Sequence, residues 1–557
     1  LAHAGGMIFA IQGEPYAFRT GVGKRNGFDA LEIATVKLSA RDAGSGKTLW
    51  EIPIEGTDGY IGGTLSIKSG KLAYLTRNAL VCRNSKTGQE IWRQAYPYFQ
   101  DMPRKGVYIL KYNNSPPTLV MTEKWLFCSD LNLVKAYSMA DGSLLWQGNT
   151  ECNYTKNGDL FYVDGLVWTG FLKGLDPATG EVKRELQQNM TGPMSHDRCY
   201  RNRITQEYYI NSKSGGTDLV ALDGSGEYPG PWMRATCGLA MTPSFGRLYS
   251  SPYVCACEIG SMLLGFNCTY NQSRDQGKLM AVEPASRLIK GPAYGRGPTG
   301  AKASATDWPT YRRDNARNGV TTMQVPKQLK VAWRATLPGT PTAPGIADGM
   351  LLTAVKAMHT VYALDSRTGD QKWQFTADGP IDSPPTYHQG LALFGSRDGW
   401  VYCLNAKTGE LVWKFSDMPA VRYMCAFEQL ESAWPVNGSI MIKNGLAYFA
   451  AGRSSFLDGG IVVYALDPQT GAVKHRRTMA GPYDDRSFPI VQRGKMHRSQ
   501  GFRSGIFSSK GNSLYIRHQG FKSDLSPISP YDIKTPHLMP STGFLCDSPQ
   551  HRTYWTV

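Results

Sequence analysis
Long hydrophobic runs are missing: across 557 residues no window approaches 18 consecutive apolar side chains, so no transmembrane helix is expected. Clustered charge of one sign is missing too. The formal net charge is +16, from 61 Lys and Arg against 45 Asp and Glu, yet the basic residues are scattered and form no zinc-finger or RNA-binding pattern. Nucleic acid is therefore not an expected partner. An extracellular protein or an anionic polysaccharide would be steered by such a field, and self-assembly stays open. The chain holds no GxSxG, HExxH, P-loop or dinucleotide fingerprint, which leaves serine hydrolase, zincin, ATPase and Rossmann readings without support. It also has no C-x-x-C-H haem attachment motif. Leu1 opens without a Met or a charged-then-apolar leader and "HRTYWTV" ends abruptly at 551–557, so a processed chain or a fragment is expected.

Glycine and aromatics, by contrast, are plentiful. With 60 Gly, 33 Pro, 29 Tyr and 13 Trp, the composition favours short strands and many turns, hence an all-β fold. Eleven Cys suit an oxidising compartment. N-x-S/T sequons at Asn113, Asn153, Asn189, Asn267, Asn271 and Asn437 point the same way, to a secreted, cell-surface or periplasmic protein open to glycosylation.

One phrase recurs: an alternating apolar strand, a polar turn ending in Gly, and a Trp four residues later. Full copies end at Trp50, Trp92, Trp146, Trp373 and Trp413. Worn copies carry Arg184 or His475 in place of the Trp, or end late at Trp232. Asp42, Asn84, Asp365 and Asn405 sit where a side chain caps the turn, and the Gly supplies positive φ. The Trp is large enough to wedge one small sheet against the next, with its indole N–H on a carbonyl. Four-stranded units follow, spaced about 40 residues apart, and a ring of eight blades is the expected architecture. The Gly/Pro/basic stretch 285–328 reads as a linker or an insertion between blades at 1–284 and blades at 329–557, with Trp333 a further docking residue and one shared ring favoured over two.

At "ALDSRTGDQKW", "CLNAKTGELVW" and "ALDPQTG" the chain resembles the quinoprotein-like β-propeller family. "DWPTYRRDNARNG" (307–319), "FEQLESAWPVNGS" (427–439), "AGRSSFLDGG" (451–460), "HDRCY" and "CAC" are similar to stretches of large exported propeller proteins of planctomycete-type bacteria. The resemblance implies the fold and export, and relatives that continue past the point matching Val557. Dehydrogenases of that family hold pyrroloquinoline quinone against a vicinal Cys pair, with calcium and a catalytic Asp. No two cysteines are adjacent in this chain, so that cofactor is not expected. Noncatalytic assembly scaffolds share the fold, and fold alone does not choose between them.

Two clusters could carry chemistry. His196, Cys199, Cys237, Cys255 and Cys257 could bind Zn, Cu or Ca, or pair as disulfides, since Cys255 and Cys257 point the same way on a strand. The second cluster holds Arg422, Glu428, Glu431, Trp434, Arg453 and Asp458, a set suited to sugar recognition or acid–base cleavage, although salt bridges and turn capping explain the same residues. Arg397 and Asp398 in "SRDGW" read as hairpin-turn residues, and His359 and His388 as packing residues. The leading expectation is a binding or scaffold module. The alternative is a quinoprotein-like oxidoreductase or a metal-assisted enzyme acting on polysaccharide.

Overall fold
The computed structural model describes residues 1–12, 36–54, 60, 63–76, 78–96, 117–130, 133–150, 158–188, 201–212, 216–228, 230, 233–235, 241–251, 263, 266–270, 287–297, 300–426, 429–480, 503–517, 519–528, 539–540 and 555–556. These residues hold ten antiparallel sheets of three to five strands and two further strand pairs. Most sheets are four-stranded meanders in chain order. The pattern of burial explains the sequence pattern. Second and third strands, such as Leu391–Gly395 and Val401–Asn405, lie between neighbouring sheets and are almost wholly buried. Fourth strands such as Gln371–Thr376 alternate between buried and exposed.

The repeated turn forms as its chemistry dictates. Asp365 Oδ1 accepts from the N–H groups of Arg367 and Thr368 at 2.9 and 3.2 Å, and Asn405 does the same for Lys407 and Thr408. Those backbone donors, with Lys372 beside them, pull the Asp365 carboxyl down to about 2. Gly409 has φ of 75°, and a Cβ there would stand 2.7 Å from Cδ2 of Trp373. The glycine is thus required twice, by the turn and by the indole lying on it.

That indole belongs to the preceding sheet, so each Trp joins its own sheet to the next. Trp50, Trp92, Trp146, Trp333, Trp373 and Trp413 donate Nε1–H to the carbonyls of Ser85, Met139, Pro177, Ser366, Ala406 and Pro468, at 2.9–3.3 Å. Arg184 replaces the Trp in one worn copy and keeps the bond, donating from Nη1 to Leu222 O at 3.0 Å. Trp333 lies in no strand; across the sheet from the other five tryptophans stand Ala40, Cys82, Ala136, Ala363 and Cys403, with Gly174 facing Arg184. Each is small, and the pairing shifts register immediately after it, a bulge that aims the large side chain at the next sheet. Cys82 and Cys403 are buried reduced thiols at this position, and burial pushes Cys82 up to about 11.

First strands of successive sheets lie side by side: Ala2–Ala4 beside Ser66–Lys68, then Thr118–Met121; and Gly345–Ala347 beside Thr386–His388, then Met441–Lys443. Their free edges would be exposed backbone at the axis of the array. In the second run, residues 308–317 occupy those edges. Trp308 exchanges both backbone bonds with Ile346, Tyr387 N–H donates to Pro309 O, and Ser509 N–H donates to Asn315 O. Asn315 Nδ2 donates to Ile442 O at 2.7 Å. Arg317 is fully buried; it donates from Nε to Phe507 O and from Nη1 to Thr310 Oγ1 and Tyr311 O. Thr310 in turn bonds Thr386, whose hydroxyl donates to Ile440 O. Burial draws the Arg317 guanidinium down to about 10, against the favourable charges of Asp314 and Tyr311.

Candidate functional site
In an antiparallel meander, the links between sheets and the turns between second and third strands emerge on one side. That side collects the second cluster read from the sequence. Arg397 lies between Leu391–Gly395 and Val401–Asn405, and Arg453 and Asp458 between Leu446–Ala451 and Ile461–Leu466. Asp382 lies in the link after Gln371–Thr376. The link after Leu411–Phe415 is long, holds the paired strands Tyr423–Ala426 and Gln429–Ser432, and brings in Arg422, Glu431 and Trp434.

Glu431, only 3% exposed, is the centre. Its Oε2 accepts from Arg397 Nη1 at 2.6 Å, and its Oε1 faces Arg453 Nε at 3.7 Å. Asp382 takes Arg397 Nε at 3.0 Å and Gly438 N–H at 3.2 Å. Burial works against the charge on Arg397, but Asp382 and Glu431 outweigh it and raise its affinity for the proton. Arg453 is lowered by burial, with Arg397 adding like charge and Glu431 only partly offsetting both. Arg422 pairs with Asp458 and lies 4.9 Å over the Trp434 ring, whose Nε1–H donates to Asp458 O at 2.8 Å. Asp458 sits at φ of 56° before Gly459, so it serves both as turn residue and as ion-pair partner.

The structure thus gathers Arg422, Glu431, Trp434, Arg453 and Asp458 on one side in two groups, Glu431 with Arg453 and Arg397, and Asp458 with Arg422 and Trp434; Glu428 lies outside the described residues. Sequence reading missed Asp382, which has no motif around it, and placed Arg397 in a turn without its two carboxylates. Asp398 is a buried structural group: burial raises its carboxyl, while Tyr402 O–H at 2.6 Å and Trp400 N–H at 2.8 Å oppose that rise. His359 Nε2 meets Gln429 Oε1 at 3.3 Å, tying the paired strands to the neighbouring sheet, and burial lowers His388.

His196, Cys199, Cys237, Cys255 and Cys257 lie outside the described residues. Among the described residues Cys82, Cys268, Cys403 and Cys425 are free thiols, and no three His, Cys, Asp or Glu side chains converge as a ligand set. Of the two sequons described, Asn267 is buried in strand Asn267–Tyr270 and Asn437 stands between buried neighbours with its Oδ1 enclosed. The expected exposed acceptor is therefore not found at Asn267. No helix among the described residues is long and apolar enough to cross a membrane.

Small antiparallel sheets docked in series by tryptophans define a β-propeller of the quinoprotein-repeat class. The family model described as "Outer membrane protein assembly factor BamB" matches residues 34–228 and 322–500, and the chain belongs to that family. It is 31% identical over 139 residues to outer membrane protein assembly factor BamB of Burkholderia pseudomallei, covering 25% of this chain and 32% of that one. It is 27% identical over 206 residues to the dehydrogenase subunit of alcohol dehydrogenase (quinone) of Komagataeibacter europaeus, covering 33% of this chain and 27% of the relative. The match thus spans about a quarter of that relative's length. The solved BamB of Moraxella catarrhalis aligns over 78% of this chain and 93% of its own, at 12% identity and TM-score 0.29.

Proposed function
We propose that the chain is a noncatalytic binding module of a protein assembly outside the cytoplasm, at or near an outer membrane. The family match supports this reading, and one observation carries it: the charged residues of the candidate site neutralise one another. Glu431 is committed to two guanidiniums and Asp458 to a third, so the network braces the paired strands 423–432 and leaves neither carboxylate facing a substrate. The braced strands turn Tyr423 and Leu430, 55% and 62% exposed, toward solvent, as a protein contact surface requires. A photo-crosslinker at Tyr423 or Leu430 should capture a protein in the native host's envelope fraction, while one at Thr368, on the opposite side of the sheets, should not. Equal capture from both sides would defeat the proposal.

The names of the quinone dehydrogenase relatives favour a second reading, an oxidoreductase holding pyrroloquinoline quinone. The sequence speaks against it, because no two cysteines are adjacent in this chain to hold that quinone. Titration of the chain with the quinone and calcium, followed by visible absorption, should give no saturable complex. A stoichiometric complex would restore the enzyme reading. Zn or Cu at the His196–Cys257 cluster and a polysaccharide ligand remain alternatives that elemental analysis and glycan binding would reveal.

A further inference from the structure
An outer strand of this molecule already carries an added strand. Leu288–Lys290 lies antiparallel on Leu411–Phe415 as a fifth strand, in a register that sets Leu288 opposite Phe415 and Lys290 opposite Trp413. Gly291 N–H and Ala293 N–H continue the ladder to Val412 O and Leu411 O at 2.8 and 3.0 Å. Leu288 packs on the buried cluster holding Trp413 and reaches the Gly471 turn on which that indole lies, so Trp413 and Val412 are both buried. The added strand thus packs its Leu288 against the cluster that holds the docking Trp.

Elsewhere no strand is added among the described residues: Trp92 and Trp373 are still buried, while Ile91 and Lys372 before them are exposed. Outer strands are open edges, and proteins guard such edges with charge or proline. Thr48–Ile54 has Glu51 and Pro53, Glu90–Ala95 has Glu90 and Arg93, Gln371–Thr376 has Lys372, and Val473–Met479 has Lys474, Arg476 and Arg477. Val182–Glu185 and Glu227–Tyr228 carry charge, and Pro527–Ile528 carries proline. Among the described fourth strands Leu144–Asn149, sequence LLWQGN, has neither. Its Leu144 and Leu145 are 49% and 46% exposed, and Trp146 is half-buried where its counterpart Trp413 is fully covered. Leu145 and Trp146 occupy the positions of Val412 and Trp413.

We infer that Leu144–Asn149 is a strand-addition site, which takes an extended apolar segment of a partner protein in the register that Leu288–Lys290 adopts on Leu411–Phe415. Backbone bonds along the open edge would supply affinity, and an apolar side chain covering Trp146 and the Gly180 turn would supply selectivity. This inference rests on the binding-module reading and names one surface for it.

The probe is a synthetic peptide of residues 287–294, RLIKGPAY, the sequence seen added to an outer strand, offered to the full chain with binding followed by anisotropy. Saturable one-to-one binding is expected, with slowed hydrogen exchange in residues 144–149. Leu145→Lys should weaken it by about tenfold or more, and Gln374→Lys on another outer strand should leave it unchanged. Leu145 is exposed, and circular dichroism of the variant verifies the fold. Absence of saturable binding, or binding indifferent to Leu145→Lys, would overturn the inference. If crosslinks at Tyr423 persist in that case, the binding-module reading survives and only this surface is lost.

Discussion

Glu431 shows how one side chain can look catalytic in sequence and be structural in space. Replacing it with Ala leaves Arg397 with Asp382 but strands Arg453 as a buried cation, so the expected cost is about 3 kcal/mol, measured by urea unfolding. Glu431→Gln keeps the shape and an acceptor and should cost less. A loss within error for the Ala variant would mean that the network braces nothing. Sequence had already brought Arg422, Glu431, Trp434, Arg453 and Asp458 together, because they fall within one short stretch of the chain, 422–458. It could not supply Asp382, which precedes Glu431 by nearly fifty residues and meets it only through Arg397. Nor could the residue types distinguish a sugar-binding set from a self-neutralised one, since that difference lies in distances of an ångström or two.

Among the elements, the fourth strand and its turn were the most legible. The Asp or Asn cap, the turn Gly and the Trp all act over a few residues, so their spacing survives in one dimension. The small residue facing each Trp was equally present in the sequence and went unread, although "VYAL" and "VYCL" both carry it. It makes a direct prediction. Ala363→Leu would push Trp373 off Ala406 O and overfill a buried site, costing about 1–3 kcal/mol and shifting Trp fluorescence toward that of a wet indole. Unchanged stability and emission would show that the small side chain is incidental. The Arg184 copy is instructive here, because a guanidinium reproduces the hydrogen bond but not the apolar area of an indole.

For the molecule as a whole, the segment 307–319 matters most. Its composition reads as a connection, yet residues 308–317 bond to the first strands of four successive sheets, with Arg317 at their junction. Arg317→Ala should cost about 3 kcal/mol or more and speed hydrogen exchange in Thr386–His388, Met441–Lys443 and Ser508–Lys510 together. Lys would not rescue it, having a single nitrogen where the guanidinium serves separate acceptors from separate atoms. Exchange confined to one sheet would show that the segment is not a common tie. By itself, the sequence determined the all-β class, the repeated turn and the wedge of each Trp, because each depends on neighbours within a turn or a strand. Only the tertiary structure decided that the arginine-rich segment closes the inner edges, that the candidate acids are already neutralised, and which fourth strand lacks a guard. Those outcomes depend on backbone donors and charges brought together from distant parts of the chain, where spacing along the sequence carries no record of the encounter.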